Sequence, residues 1–208
     1  MAYIGNNAIE MEPVETDNIG SLASLVLAEL PECDDLIVRQ QLGYALREFC
    51  RETNACVVTA PVKFKAHPRE WGYSAPLPAA PQGMVVGTVI EVEECGCQCG
   101  FEIRHDPDRV LVQDVIGDLP AVIRFSVYPK AGGEDCPKWF KERYAEAIVA
   151  GAMHHLLSMQ KRAWADPQRA AEYGAKYADA INEASYRSLG SSMQGGAESA
   201  IPCGGLFM

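Results

Sequence analysis

The stretch "WADPQRAAEYGAKYADAINEASYRSLGSS", residues 164–192, decides how the rest of the chain is read. Asp166 is a good N-cap, and Pro167 suits the first helical position, where a missing N–H costs nothing. Tyr173, Tyr177, Ile181 and Ala184 then recur every three or four residues, which places apolar side chains on one helix face. Gly190 and the serines after it are expected to stop the helix. The remainder, 191–208, ends in "CGGLFM" and carries neither a helix nor a strand pattern.

The same helical period appears in "CPKWFKERYAEAIVAGAMHHLLSMQKRAW" (136–164), with a start near Pro137. Phe140, Tyr144, Ile148, Ala152, His155 and Met159 share its stripe. Gly151 and Ala152 leave so little side chain that another helix can approach closely there. Near the other end, "IGSLASLVLAEL" (19–30) reads as a short apolar helix ended by Pro31. "ECDDLIVRQQLGYALREFCRET" (32–53) reads as a longer helix capped by Asp34, with Val38, Leu42, Ala45, Leu46 and Phe49 on its apolar face. Phe49, Tyr144, Ile148, Tyr177 and Ile181 are therefore the expected core of a helical bundle.

The character changes between these helices. "ACVVTAPVKF" (55–64) alternates and is β-branched, and "MVVGTVIEVEEC" (84–95), "FEIRHD", "RVLVQDVI" and "AVIRFSVYP" (121–129) also read as strands. "WGYSAPLPAAPQG" (71–83), rich in proline, is expected to be loop or an irregular edge, and "CGCQCG" (95–100) a turn. The fold class that follows is α+β: an antiparallel helical bundle with an inserted antiparallel β-region and an extended C-terminal tail. The expected organisation is an acidic N-terminal arm at 1–17, the bundle at 18–54 plus 137–190, the β-region at 55–136, and the tail at 191–208.

With 208 residues, 48% of them hydrophobic, the bulk of the chain is expected to fold. The net charge of −10 argues against a surface that grips nucleic acid or anionic membrane. No basic residue precedes Arg39, so no signal peptide is expected, and no apolar run is long enough to span a bilayer. The eight cysteines are expected to be reduced thiols in a cytoplasm-like compartment.

Chemistry-bearing motifs are sparse. There is no phosphate loop, dinucleotide fingerprint, zinc-protease motif or nucleophile elbow. Cys95, Cys97 and Cys99 offer thiolates, with Cys136 or His105 as a fourth ligand. C-x-C spacing is a poorer fit to a tetrahedron than C-x₂-C, and a glycine-rich hairpin tip is the simpler reading. His154 and His155 point about 100° apart on a helix and do not converge on one ion. In "EVEE" (91–94), Glu91 and Glu93 share one strand face, which is expected to be solvated. No catalytic residue, cofactor site or metal site is assigned.

"LREFCRET" (46–53) after the entry at Pro31, "AIVAGAMHHLLSM" (147–159), "WADPQRAAEYGAKYADAINEASYR" (164–187), and the strands "VVGTVIEV" and "VIRFSVYP" form an ordered set. The set resembles the head–tail adaptor proteins of tailed phages, in particular the podovirus connector group that includes the tail tubular protein A type. The "CGCQCG" turn departs from that group. The resemblance implies a virion structural protein and no enzyme. It implies a homo-oligomeric ring, a dodecamer, that sits beneath the portal protein, contacts the tail and nozzle proteins, and encloses the channel for the genomic DNA. The location it implies is the virion neck, reached from the host cytoplasm during assembly. It also gives the tail a role as portal anchor, through Ile201, Leu206, Phe207 and Met208. The alternatives are another neck or tail-completion protein, a zinc-binding module built on Cys95–Cys99, or an enzyme.

The acidic balance has a measurable consequence. The purified protein is expected not to bind duplex DNA at physiological salt. Binding of roughly micromolar affinity with a steep salt slope would show that its few cations are grouped for phosphate contact.

Overall fold

A computed structural model of the chain describes residues 14–66, 73–94, 97–98, 109–112 and 120–194. It is mixed α and β, and every strand pairing among these residues is antiparallel. Strand β1 (Thr16–Asn18) leads into a 3₁₀ turn at Ile19–Leu22, then helix α1 (Ala23–Glu29) and helix α2 (Asp35–Thr53). Strands β2 (Val57–Lys63), β3 (Lys65–Ala66), β4 (Tyr73–Pro76), β5 (Met84–Glu94), β6 (Cys97–Gln98), β7 (Arg109–Val112), β8 (Pro120–Pro129) and β9 (Asp135–Pro137) follow. Helices α3 (Lys138–Leu157) and α4 (Pro167–Gln194) close the described chain.

Local chemistry sets the helix ends. The Asp34 carboxylate accepts from Leu36 N at 2.8 Å, and Asp166 accepts from Gln168 N and Arg169 N at 3.1 Å. Asn54 ends α2 in the left-handed region, with φ 50°, and donates its N–H to Cys50 O. Asparagine tolerates this conformation better than most residues.

The main sheet runs β2-β8-β5-β6, so β8 is central. Ile123, Phe125 and Val127 on β8 are fully buried, as their alternation requires. A second sheet runs β3-β4-β7, and β1 pairs only with β9. The β5–β8 register shifts between Val86 and Val89 and again before Glu91. Gly87 lies in that bulge, where a Cβ would meet Ser126 Oγ at 2.5 Å.

Helices α2, α3 and α4 pack around Phe49. Its ring centroid is 5.0 Å from that of Tyr144 and 6.0 Å from those of Phe140 and Tyr177. Phe49 and Ile148 are fully buried, Tyr177 is buried, and Tyr144 and Ile181 are half-buried. Tyr177 Oη donates to Ala45 O at 2.8 Å. Gly151 is the point of closest approach: a Cβ there would stand 2.8 Å from the Tyr177 ring and 3.0 Å from Ala45 Cβ.

Several expectations from the sequence are corrected. Residues 19–30 are not one helix: Asn18 caps a 3₁₀ turn before α1 begins. The segment expected as loop or an irregular edge at 71–83 contains β4, the middle strand of the β3-β4-β7 sheet, because Tyr73, Ser74 and Ala75 suit a strand and Pro76 falls only at its end. The end of the N-terminal arm is ordered within the chain, since Thr16–Asn18 pairs with Asp135–Pro137 and Lys138 N donates to Glu15 O. Helix α3 stops at Leu157, earlier than its apolar pattern suggests. Gly190 does not stop α4, which continues to Gln194. Glycine in a helix costs only about 1 kcal/mol relative to alanine. Two residues earlier, Ser188 Oγ stands 2.9 Å from Thr53 O and ties the helix to α2. The expected strand at "FEIRHD" lies outside the described residues.

Phe49→Ala is expected to cost about 3–5 kcal/mol in chemical denaturation. Gly151→Val should cost about 1–3 kcal/mol by forcing α4 away at Tyr177. A loss below roughly 0.5 kcal/mol for Gly151→Val would mean that the helices do not meet at this glycine.

Candidate functional site

The side chains singled out in the sequence are not brought into one reactive site. Cys95, Cys99 and His105 lie outside the described residues, and Cys97 is placed only by its backbone, opposite Glu94 in the β5–β6 pairing. Cys136 is fully buried on β9, away from solvent, and burial pushes its thiol up to about 12, with Cys56 adding to the effect. Cys50 and Cys56 are also buried, and all three are free thiols. Burial and the neighbouring Cys56 raise the Cys50 thiol as well. Thiols held protonated in this way are small apolar side chains rather than nucleophiles or ligands. Among the described residues no group of three or more His, Cys, Asp or Glu side chains is arranged to hold a metal ion.

The two histidines part company, as their positions on a helix require. His154 faces α4, with Nδ1 2.8 Å from Ala170 O, and a Cβ at Gly174 would touch its ring. His155 faces α2, with Nε2 3.4 Å from Glu48 Oε2. Glu91 does not stand on a solvated face: it is buried and pairs with Arg124 across β5 and β8 at 2.5 Å. The bulge before Glu91 takes it off the Phe125 and Ile123 face and sets it opposite Arg124, while Val92 stands opposite Ile123, a change that strict alternation cannot anticipate. Ile201, Leu206, Phe207 and Met208 lie outside the described residues.

Surface depressions among the described residues include two on the helices. One, of about 530 Å³, runs along α2 and is lined by Tyr44, Arg47, Glu48, Arg51, Glu52 and His155, with Gln41 at its end. Arg47 and Arg51 both lie over the Tyr128 ring, at 5.6 and 5.9 Å from its centroid. The other, of about 340 Å³, lies between α3 and α4. Ala147, Ala150, Ala180 and Ala184 line it, with Arg143, Lys176 and Arg187 also present. Neither lining contains a Ser, Thr or Cys beside a base, so neither assembles the nucleophile–base pair of covalent catalysis. Both are shallow, mixed-charge faces on rigid helices, suited to contact with another chain segment. Sequence periodicity ranked the apolar stripes and passed over these faces. The arginine pair at i and i+4 beside an outward Tyr on β8, and the alanines at helical spacing, were the available signals.

A scan against protein-family models finds no match, and a search of curated proteins finds none either. Among the described residues no helix is long and apolar enough to cross a membrane.

His155 supplies a pH dependence. Burial lowers its pKa below 6.5, and the neighbouring Glu48 only partly opposes this. As pH falls through about 6.5, the unfolded chain takes up a proton that the folded chain resists. The unfolded state then binds more protons, so stability falls with falling pH. The melting temperature should drop between about pH 7.5 and pH 5.5, and His155→Gln should flatten that part of the profile. An unaltered profile in the variant would assign the proton uptake to another group.

Proposed function

We propose that this chain is a virion structural protein, a head-to-tail adaptor that forms a ring under the portal and joins capsid to tail. The observation that carries the reading is the order of elements. Helices α1 and α2, an antiparallel β-region, and helices α3 and α4 follow one another in a single chain that continues into "GGAESAIPCGGLFM" (195–208). In this reading α1–α4 form the bundle, residues 55–136 an inserted β-region, and the residues beyond Gln194 the portal-binding tail. The subunits form a closed homo-oligomeric ring, a dodecamer, with tail and nozzle proteins below it. The genomic duplex passes through the channel without being held, as the net charge of −10 favours. The protein is assembled in the host cytoplasm and resides in the virion neck.

The tail's composition supports an anchoring role. Glu198 is the only charged side chain between 195 and 208, and glycines and a serine surround it. Ile201, Leu206, Phe207 and Met208 supply the apolar surface, and burying one Leu or Phe side chain yields about 1.5–3 kcal/mol. Ordering a glycine-rich tether opposes binding, so a single tail binds weakly. A ring presents many tails at once, and linked sites raise the effective concentration steeply.

Electron micrographs of the protein mixed with portal rings test the reading, with solution mass of the protein alone and with portal. Rings stacked on the portal are expected. Deleting 195–208 should leave the melting temperature nearly unchanged and abolish attachment. A protein that ignores portal rings at any concentration overturns the adaptor role. A truncated protein that binds as well as the full chain overturns the anchoring role of the tail alone.

A further inference from the structure

We propose that the groove between α3 and α4 is the docking site of the chain's own acidic N-terminal segment, residues 1–13. The proposal does not rest on the adaptor reading. The groove is floored by alanines, and Arg143, Lys176 and Arg187 line it together with Glu146 and Glu183. Arg187 is already paired with Glu183. Arg143 lies 5.5 Å over the Tyr144 ring and Lys176 4.9 Å over the Tyr173 ring, and among the described residues neither forms an ion pair with a carboxylate. The groove therefore offers two cations without acidic partners beside a small-residue floor. That combination suits an extended peptide carrying carboxylates and modest apolar side chains.

The N-terminal segment has this composition and enters the described structure at the start of one of the two helices that form the groove. Residues 1–13 contain no Lys or Arg, and "AIEMEP" (8–13) alternates Ile9 and Met11 with Glu10 and Glu12. In an extended chain the two kinds of side chain face opposite ways, one set toward the alanines and the other toward the cations. The chain enters the described structure against the first turn of α3. Lys138 N donates to Glu15 O at 2.9 Å, Lys138 Nζ meets Glu15 at 3.0 Å, and Lys141 Nζ meets Asp17 at 2.7 Å. The last residues of the arm are thus already held on α3 by carboxylate–lysine pairs. Trp139, 41% exposed, stands one turn before Arg143 on the same face of α3, between that residue and the Lys138 face. From Lys138, which holds Glu15, Arg143 lies five residues on, a rise of about 7.5 Å and a turn of about 140° round the helix. Glu10 stands five residues before Glu15, about 17 Å of extended chain, enough to pass round α3 to Arg143.

A benzoylphenylalanine photoprobe at Met11 of the full-length chain, read by mass spectrometry, tests the proposal. Crosslinks are expected within α3 residues 143–150 and α4 residues 176–187 of the same molecule, with a yield independent of protein concentration. The double variant R143E/K176E should lower that yield at least about fivefold by charge repulsion. Adding E10K/E12K should restore it. If charge reversal disturbs the circular dichroism spectrum or melting temperature, R143Q/K176Q replaces it, with a smaller loss expected. Crosslinks that fall elsewhere in the chain overturn the proposal. So do crosslinks formed only between two copies, which would make a second copy the occupant, and a yield indifferent to both double variants.

Discussion

The hydroxyl of Ser126 joins the helices to the sheet, and the rest of the structure is arranged around it. It is 1% exposed, accepts from Thr88 N at 2.8 Å and donates to Asn54 Oδ1 at 3.0 Å. Asn54 is the left-handed residue that ends α2, and Thr88 sits in the bulge of β5. One buried hydroxyl thus fixes a helix end, a central strand and a bulge against one another. Leaving any of these groups unpaired would cost about 1–3 kcal/mol. Gly87 is required beside it because no side chain fits between the bulge and Ser126 Oγ.

From that joint the helix packing follows. Thr53 Oγ1 donates to Phe49 O at 2.7 Å and accepts from Ala55 N at 3.1 Å, so the last turn of α2 is held by its own side chain. Val127 N donates to Cys56 O at 2.8 Å and starts the β2–β8 pairing two residues past the helix cap. With its end fixed, α2 presents Phe49 to three aromatic rings. Helix α4 is tied to α2 at two levels, through Tyr177 Oη on Ala45 O and Ser188 Oγ beside Thr53 O. These bonds run to backbone carbonyls, so they set the axial register of α4 whatever apolar side chains surround them. The second tie lies two residues before Gly190, within the stretch where α4 continues past a residue that often ends helices.

Much of this arrangement is legible in the sequence where a side chain acts on its immediate neighbours. Asp34, Asp166 and Pro167 mark the starts of α2 and α4 by local capping, and the alternation of Ile123, Phe125 and Val127 gives the buried face of β8. What is not legible depends on residues far apart in the chain. The pairing of Thr16–Asn18 with Asp135–Pro137 uses three residues on each side, too few for any period to register. Strand β4 is hidden by prolines that fall at and beyond its end. The placing of Glu91 opposite Arg124 depends on a bulge that only the β8 register reveals. The candidate surfaces were missed for a different reason. Periodicity finds what is buried, whereas Arg47, Arg51 and Tyr128, or Arg143 and Lys176, become neighbours only after the helices and sheet have packed.

Charge is distributed in a way that bears on what can approach the protein. Several of the described cations are committed to carboxylates of their own chain, among them Arg124 to Glu91, Lys138 to Glu15, Lys141 to Asp17 and Arg169 to Glu29. Two of these pairs stitch β1 to α3, and one holds α1 to α4, so they act as cross-links between elements distant in sequence. They are mostly exposed, and each contributes about 1 kcal/mol or less. Their larger effect is to remove positive charge from the surface of an acidic protein. Four others gather in two places, Arg47 and Arg51 over Tyr128 and Arg143 and Lys176 in the α3–α4 groove, each interleaved with glutamates. Gripping duplex DNA takes several phosphate contacts from cations on one continuous face. Two separate clusters, each nearly balanced by its own carboxylates, offer too small a net charge for that. They suit short acidic segments, which bring few charges and can place them between the glutamates.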